Sequence, residues 1–349
     1  MGKKKYVAYV GTYTHGTSKG IQVYDVDVEK GTLTERSEVE VSNASHLAVS
    51  KNGKYLYSIE DEGVASFSID ENGDLTKINQ AWIGGMRACY VEIDSNDRYL
   101  FLAGFHDGKV TMMRLNEDGS IAGIADGVFH QGVGKSSVEK RMDPRVSCTK
   151  LTPDEKYLCA VDWGLNQIKI YEVDYEEGKL HLYDILRFPF NSAPRRIRFS
   201  KDGKFAYVLE ETTNMVDIYT YDLREGKPVF EKIKTTSVLE KEDSLASGSA
   251  LEFAPDGKYL YVSLDGANEV VCLAVGEDGL ISIEETTKIS GDYPKDIAIF
   301  PGGEHLASIN HEGSISFFKI DYEKGLLVMS DRSIKVNEPN CCEIVKIGD

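Results

Sequence analysis

The chain has 349 residues and a formal net charge of −17, with abundant glycine (32) and tyrosine (19) but only nine prolines. That acidity argues against a nucleic-acid backbone as partner, because phosphate binding needs a basic face, and it favours solubility. The length exceeds one ordinary domain and allows a large core, while glycine and tyrosine suit strands joined by tight turns.

The first segment, "MGKKKYVAYVGTYTHG", carries a basic cluster. Its apolar run, Tyr6 to Val10, is too short for a signal-peptide core, and Tyr6 breaks the myristoylation pattern. No stretch resembles a membrane span, so a cytoplasmic protein without a membrane partner is expected. Next come "HLAVSKNGKYLYSIED" from position 46, "YVEIDSNDRYLFLAGF" from 90 and "CTKLTPDEKYLCAVDWG" from 148. The same pattern returns as "RIRFSKDGKFAYVLEE", "LEFAPDGKYLYVSLDG" and "DIAIFPGGEHLASINHEG". Each reads as strand, Asp/Asn/Gly turn, strand, and each is followed by a hairpin with an acidic-Gly turn, such as "QIKIYEVDYEEGKL". The period, near 50 residues, lies in the range of propeller blades.

Six units are complete, and the chain ends build a seventh. The tail, "PNCCEIVKIGD", reads as a first strand, and the head reads as the other three. The expected fold is all-β: a seven-bladed β-propeller of four antiparallel strands per blade. One domain spans 1–349, and the C-terminal strand closes the ring and removes the open edges. Two stretches are candidate functional loops: residues 120–143, unusually long for a connection, and "VLEKEDSLASGSA" from 238.

In a propeller the first strands line the central channel, so residues just before them gather at one mouth with those ending the second strands. The first group comprises Asn43 and His46, Arg87 and Tyr90, Arg145 and Ser147, Arg195 and Arg196, Ser249 and Ala250, and Lys295 and Asp296. The second comprises Glu60 and Asp61, Phe105 and His106, Asp162 and Trp163, Glu210 and Glu211, Asp265, and Asn310 and His311. Cations recurring at equivalent places in an acidic chain point to a site for a small anion. The competing reading is ion pairing that merely fills the channel. Other signals are weak. "GVGKSS" from 132 lacks the P-loop's first glycine, since Phe129 stands there. The histidines form no HxxxH or HxH pair, and the six cysteines (Cys89, Cys148, Cys159, Cys272, Cys341, Cys342) form no CxxC, so neither zinc nor a disulfide framework is expected. A cation on Glu60, Asp162, Glu211 or Asp265 is the remaining metal reading.

The segments "VGTYT" and "SKGIQVYDVD", the "PDGKYLY"-like turns, "HQGVG", "APR" and "YPKDIAI" occur in an order that resembles the bacterial β-propeller 6-phosphogluconolactonase family along the whole chain. The resemblance implies hydrolysis of 6-phosphogluconolactone in the oxidative pentose phosphate route, without a required metal or organic cofactor, at one channel mouth. Pro144, Pro194, Arg195 and Glu211 match its motifs, and His130, Asp162, Gly164, Asp296 and Asn310 sit where its pattern is kept. The chain departs from it where family histidines become Arg145, Ser147, Arg196 and Glu252, where a glutamate becomes Ala250, and where an arginine becomes Asp265.

These residues lead to an expected lactonase-like hydrolase acting on an acidic sugar lactone, as a monomer or weak dimer. Glu211 or Asp162 is the expected base, and Arg145 and Arg195 hold the anionic group. Arg196, Lys295 or Arg87 steady the oxyanion, and His130, His106 and His311 complete the substrate-binding set. The alternative is a non-catalytic or re-tooled propeller that binds an acidic small molecule or a protein partner.

Overall fold

The computed structural model describes residues 5–132, 143–323 and 326–348. Its described residues form seven four-stranded antiparallel sheets and no helix. The seventh sheet closes the ring as expected. Pro339–Ile347 is the innermost strand of blade one and pairs with Lys5–Thr12, from Lys5 opposite Ile347 to Thr12 opposite Pro339. Gly20–Asp27 and Thr32–Glu40 complete that blade.

Second strands are the most apolar. Tyr157–Asp162 is buried at every position, as is Tyr99–Ala103. Fourth strands such as Lys179–Arg187 face solvent at most positions, which suits their place on the outer rim. The core sits between blades, because each sheet buries both faces against its neighbours. One cluster joins Tyr57 and Ile59 to Leu100 and Leu102, and another joins Leu209 and Ile218 to Leu260 and Val262. Second-strand tyrosines tie blades at their outer turns: the Tyr9 hydroxyl donates to the Gly73 carbonyl and that of Tyr207 to the Gly279 carbonyl, both at 2.8 Å.

The turn between first and second strands explains the repeated Asp-Gly signal. One position takes a left-handed backbone in six blades: Gly53, Asp97, Glu155, Gly203, Gly257 and Gly303, with φ between 55° and 78°. Its N–H closes the turn on the residue three back, as Gly203 does onto the Ser200 carbonyl at 2.9 Å.

Of the two expected loops, the first half of residues 120–143 is not a loop: Ile121–Phe129 is the outer strand of blade three. The second half of that stretch, with Gly134 and Lys135 of the P-loop-like motif, lies outside the described residues. The segment from Val238 runs irregularly to Ala246 and then enters Ser247–Phe253, with Leu245 exposed on the rim.

Candidate active site

The residues that begin the first strands divide into two groups. Asn43, Arg87, Arg145, Arg195, Ser249 and Lys295 stay at the mouth, while His46, Tyr90, Arg196 and Asp296 line the channel below it. Bulges produce part of this split. Pairing steps from Pro194–Glu210 to Arg196–Leu209, and from Pro294–Asn310 to Asp296–Ile309. Arg195 and Lys295 are therefore the extra residues, re-aimed by the bulge.

Four blades contribute to the best-defined cluster at the mouth. Glu211 Oε2 accepts from Arg195 Nη1 at 2.5 Å and from Trp163 Nε1 at 3.0 Å. Arg195 Nε donates to the Ser249 carbonyl at 3.1 Å, and the Ser147 hydroxyl donates to the Arg195 carbonyl at 3.0 Å. Trp163 also carries Arg145, whose guanidinium carbon lies 5.6 Å from the indole and 5.3 Å from the Phe105 ring. Among the described residues Arg145 makes no ion pair with a carboxylate. It is a cation set on two aromatic faces beside a fixed carboxylate.

The other expected residues divide by position. Lys295 is paired with Asp265. Arg87 lies over Tyr13, at 5.0 Å, and reaches Asp61 at 3.4 Å, while Asn43 also donates to Asp61 at 2.8 Å. His311 packs edge-on to Tyr13, and His106 is exposed beside Phe105.

Four residues of the expected site lie away from the mouth: Asp162, His130, Arg196 and Glu210. Asp162 is fully buried. Its Oδ1 accepts from the Arg145 and Leu165 backbone N–H groups at 2.9 and 3.0 Å, and its Oδ2 meets His130 Nδ1 at 2.7 Å. With no exposed surface, Asp162 anchors the start of blade four rather than meeting solvent. His130 is buried with it, and burial holds the imidazole below its ordinary pKa despite the opposing pull of Asp162. The neutral ring donates Nδ1–H to the carboxylate. Arg196 enters the channel, its guanidinium carbon 4.7 Å from the Tyr90 ring centroid. Glu210 is buried too and takes a bond from the Thr213 hydroxyl; burial raises its pKa.

Trp163 has a part that the sequence reading did not assign. The available signal was its position: it follows the second strand of blade four as Glu211 follows that of blade five. The carboxylates weighed for a cation stay apart. Among the described residues no three His, Cys, Asp or Glu side chains form a group that could hold a metal ion.

Residues 7–344 match the family described as "Lactonase, 7-bladed beta-propeller". The chain is 31% identical over 350 residues to a 6-phosphogluconolactonase of Bacillus subtilis, covering 98% of this chain and 99% of that one. Among solved structures, a putative 6-phosphogluconolactonase from Bacteroides fragilis superposes with a TM-score of 0.89 at 28% identity, covering 99% of each chain. A periplasmic gluconolactonase from Pseudomonas aeruginosa superposes with a TM-score of 0.91 at 27% identity, covering 99% of this chain and all of that one. With seven four-stranded blades, a ring closed by its C-terminal strand and a family match over nearly its whole length, the chain belongs to the seven-bladed β-propeller lactonase family.

Proposed function

We propose that the chain hydrolyses a sugar lactone bearing an anionic group, of the 6-phosphogluconolactone kind, at the mouth built by Arg145, Trp163, Arg195 and Glu211. The observation that carries this reading is the juxtaposition on Trp163 of a fixed carboxylate and an arginine that has no carboxylate partner among the described residues. Arg145 holds the anionic group. Glu211 takes a proton from water as its oxygen bonds to the lactone carbonyl carbon, and Arg195 steadies the oxyanion that forms. Collapse of that intermediate breaks the ring C–O bond, and the ring oxygen takes the proton, giving the open acid. A δ-lactone opens readily on its own, so each effect need supply only a few kcal/mol.

The names of the Bacillus and Pseudomonas relatives, a 6-phosphogluconolactonase and a gluconolactonase, support the substrate class. All six cysteines are unpaired, which supports a reducing compartment and hence the cytoplasm.

The test is hydrolysis of freshly generated 6-phosphogluconolactone against its spontaneous opening. Glu211→Gln is expected to lower kcat by about 100-fold or more, and Arg145→Ala to raise KM by about tenfold, with melting temperatures little changed. No acceleration by the wild-type protein, or unaltered kinetics in both variants, overturns the assignment.

A further inference from the structure

Below the mouth, the first strands enclose a channel cavity of about 470 Å³. It reaches from His46 and Arg196 to Lys51 and Pro255, which belong to the turns at the opposite end of the ring. Its charged groups lie on two walls. Lys150 of blade four and Arg196 and Arg198 of blade five bring three enclosed cations, and Lys51 of blade two is exposed at the far end. Glu252, Asp296 and Glu343, from blades six, seven and one, bring carboxylates, and Glu92 of blade three adds a fourth.

Two of the cations are neutralised where they stand. Lys150 pairs with Glu92 at 2.7 Å, and Arg198 forks onto both oxygens of Glu252. Arg196 is not. It lies on the Tyr90 ring, and its buried Nη1 finds no hydrogen-bond acceptor among the described residues. The buried Nδ1 of His46, whose ring sits 4.2 Å from that of Tyr90, is also without a partner there. Asp296, on the facing wall, directs Oδ2 to the Cys342 N–H at 3.0 Å instead of to Arg196. A buried guanidinium with an unused donor is costly, and an anion removes that cost.

We propose that the channel is a second ligand site, separate from the mouth, in which Arg196 binds a small oxyanion, a carboxylate or a phosphate group. This inference stands whether or not the mouth hydrolyses a lactone.

The facing carboxylates set its pH dependence. Burial, then Glu252, raises the pKa of Asp296 to about 7, and Arg196 opposes this. Burial, then Asp296 and Glu252, raises that of Glu343 to about 8, and Arg198 and Lys150 oppose it. Below about pH 7 these two side chains hold protons, so the enclosed cations Lys150, Arg196 and Arg198 face only Glu92 and Glu252. Among these enclosed groups one positive charge is left over, at Arg196, with Lys51 in solvent at the far end. His46 stays neutral, because burial, then Arg196 and Arg198, keeps its pKa well below the ordinary value. Burial raises the Tyr90 hydroxyl, so it is neutral too. Anion binding is therefore present below about pH 7 and is lost as pH rises through the two raised carboxylate pKa values.

The experiment is calorimetric titration with sodium sulfate, a dianion throughout the range, and with sodium acetate. Both are titrated at pH 6.5 and 8.5 into the wild-type chain, R145A, R196Q and D296N. R145A removes the mouth arginine that has no carboxylate partner among the described residues, leaving Arg87, Arg195 and Lys295 in their ion pairs, and is expected to retain sulfate or acetate binding, tighter at pH 6.5 by about tenfold for each linked proton. R196Q is expected to lose that binding. D296N, whose amide oxygen can still accept from the Cys342 N–H, is expected to bind more tightly than wild type at pH 8.5 and to show a weaker pH dependence. Preference for sulfate identifies a phosphate-like ligand, and preference for acetate a carboxylate. No binding of either anion to R145A, equal affinity in R196Q, or no gain at pH 8.5 in D296N overturns the proposal.

Discussion

Adjacent side chains on a strand point to opposite faces, and in this protein that rule divides two charged pairs. Arg195 meets Glu211 at the mouth, while Arg196 lies on Tyr90 in the channel and Glu210 is buried against Thr213. The residue types were legible in the sequence, which gathered all four at one mouth. Which member of each pair faces the mouth was not, because the bulge at Arg195 resets the alternation and leaves no mark in composition. Asp162 and His130 were misplaced for a similar reason: strand position located them near the mouth, but two backbone N–H groups turn the carboxylate inward. The same scale gives a prediction for Trp163. Trp163→Phe keeps an aromatic face for Arg145 but deletes the Nε1–H that fixes Glu211. The expected result is a fall in kcat of about tenfold or more with KM nearly unchanged, since one hydrogen bond to a charged group is worth about 1.5–3 kcal/mol. A change in KM alone would assign Trp163 to substrate packing and not to Glu211.

Each blade is set by its first turn, and those turns show how far a sequence repeat determines an element. Four of the six equivalent left-handed positions are glycine, and those were the visible signal. At the other two, Asp97 and Glu155 accept the strain and use the side chain as a tie between blades. Asp97 accepts from the Lys51 N–H at 2.7 Å, and Glu155 from the Ser95 N–H at 3.0 Å and the Ser95 hydroxyl at 2.7 Å. A sequence repeat aligns these residues with glycine but cannot show the cross-blade bond that offsets the loss of it. Glu155→Ala keeps the strain and removes the tie, so it is expected to destabilise by about 1–2 kcal/mol. Glu155→Gly also removes the tie but relieves the strain, and should lie within about 0.5 kcal/mol of wild type. Urea unfolding midpoints decide the matter: equal losses in the two variants would refute the strain argument.

At the scale of the whole ring, the chain ends and the channel are one problem. The fold was legible because the head lacked a first strand and the tail supplied one. The register that brings Glu343 of that closing strand against Glu252 and Asp296 was not, since it depends on how seven strands converge. Closure therefore places carboxylates from three consecutive blades around one narrow space in a chain already at −17. The consequence is a pH-dependent ring. Glu343 has its folded-state pKa raised, to about 8, above that of the unfolded chain. A group raised in this way binds its proton more tightly in the native state. Its contribution is present at low pH and is lost as pH rises from the unfolded value through about 8. Glu343→Gln removes the titration while keeping the shape. At pH 5 the variant and wild type should melt together, because the native carboxyl is neutral there. At pH 8.5 the variant should melt a few degrees higher, because it has no charge to hold beside Asp296 and Glu252. Scanning calorimetry at the two pH values measures this directly. An equal difference at both, or a lower melting temperature at pH 8.5, would mean that Glu343 is ionised and paired in the closed ring, with Arg198 and Lys150 outweighing its acidic neighbours.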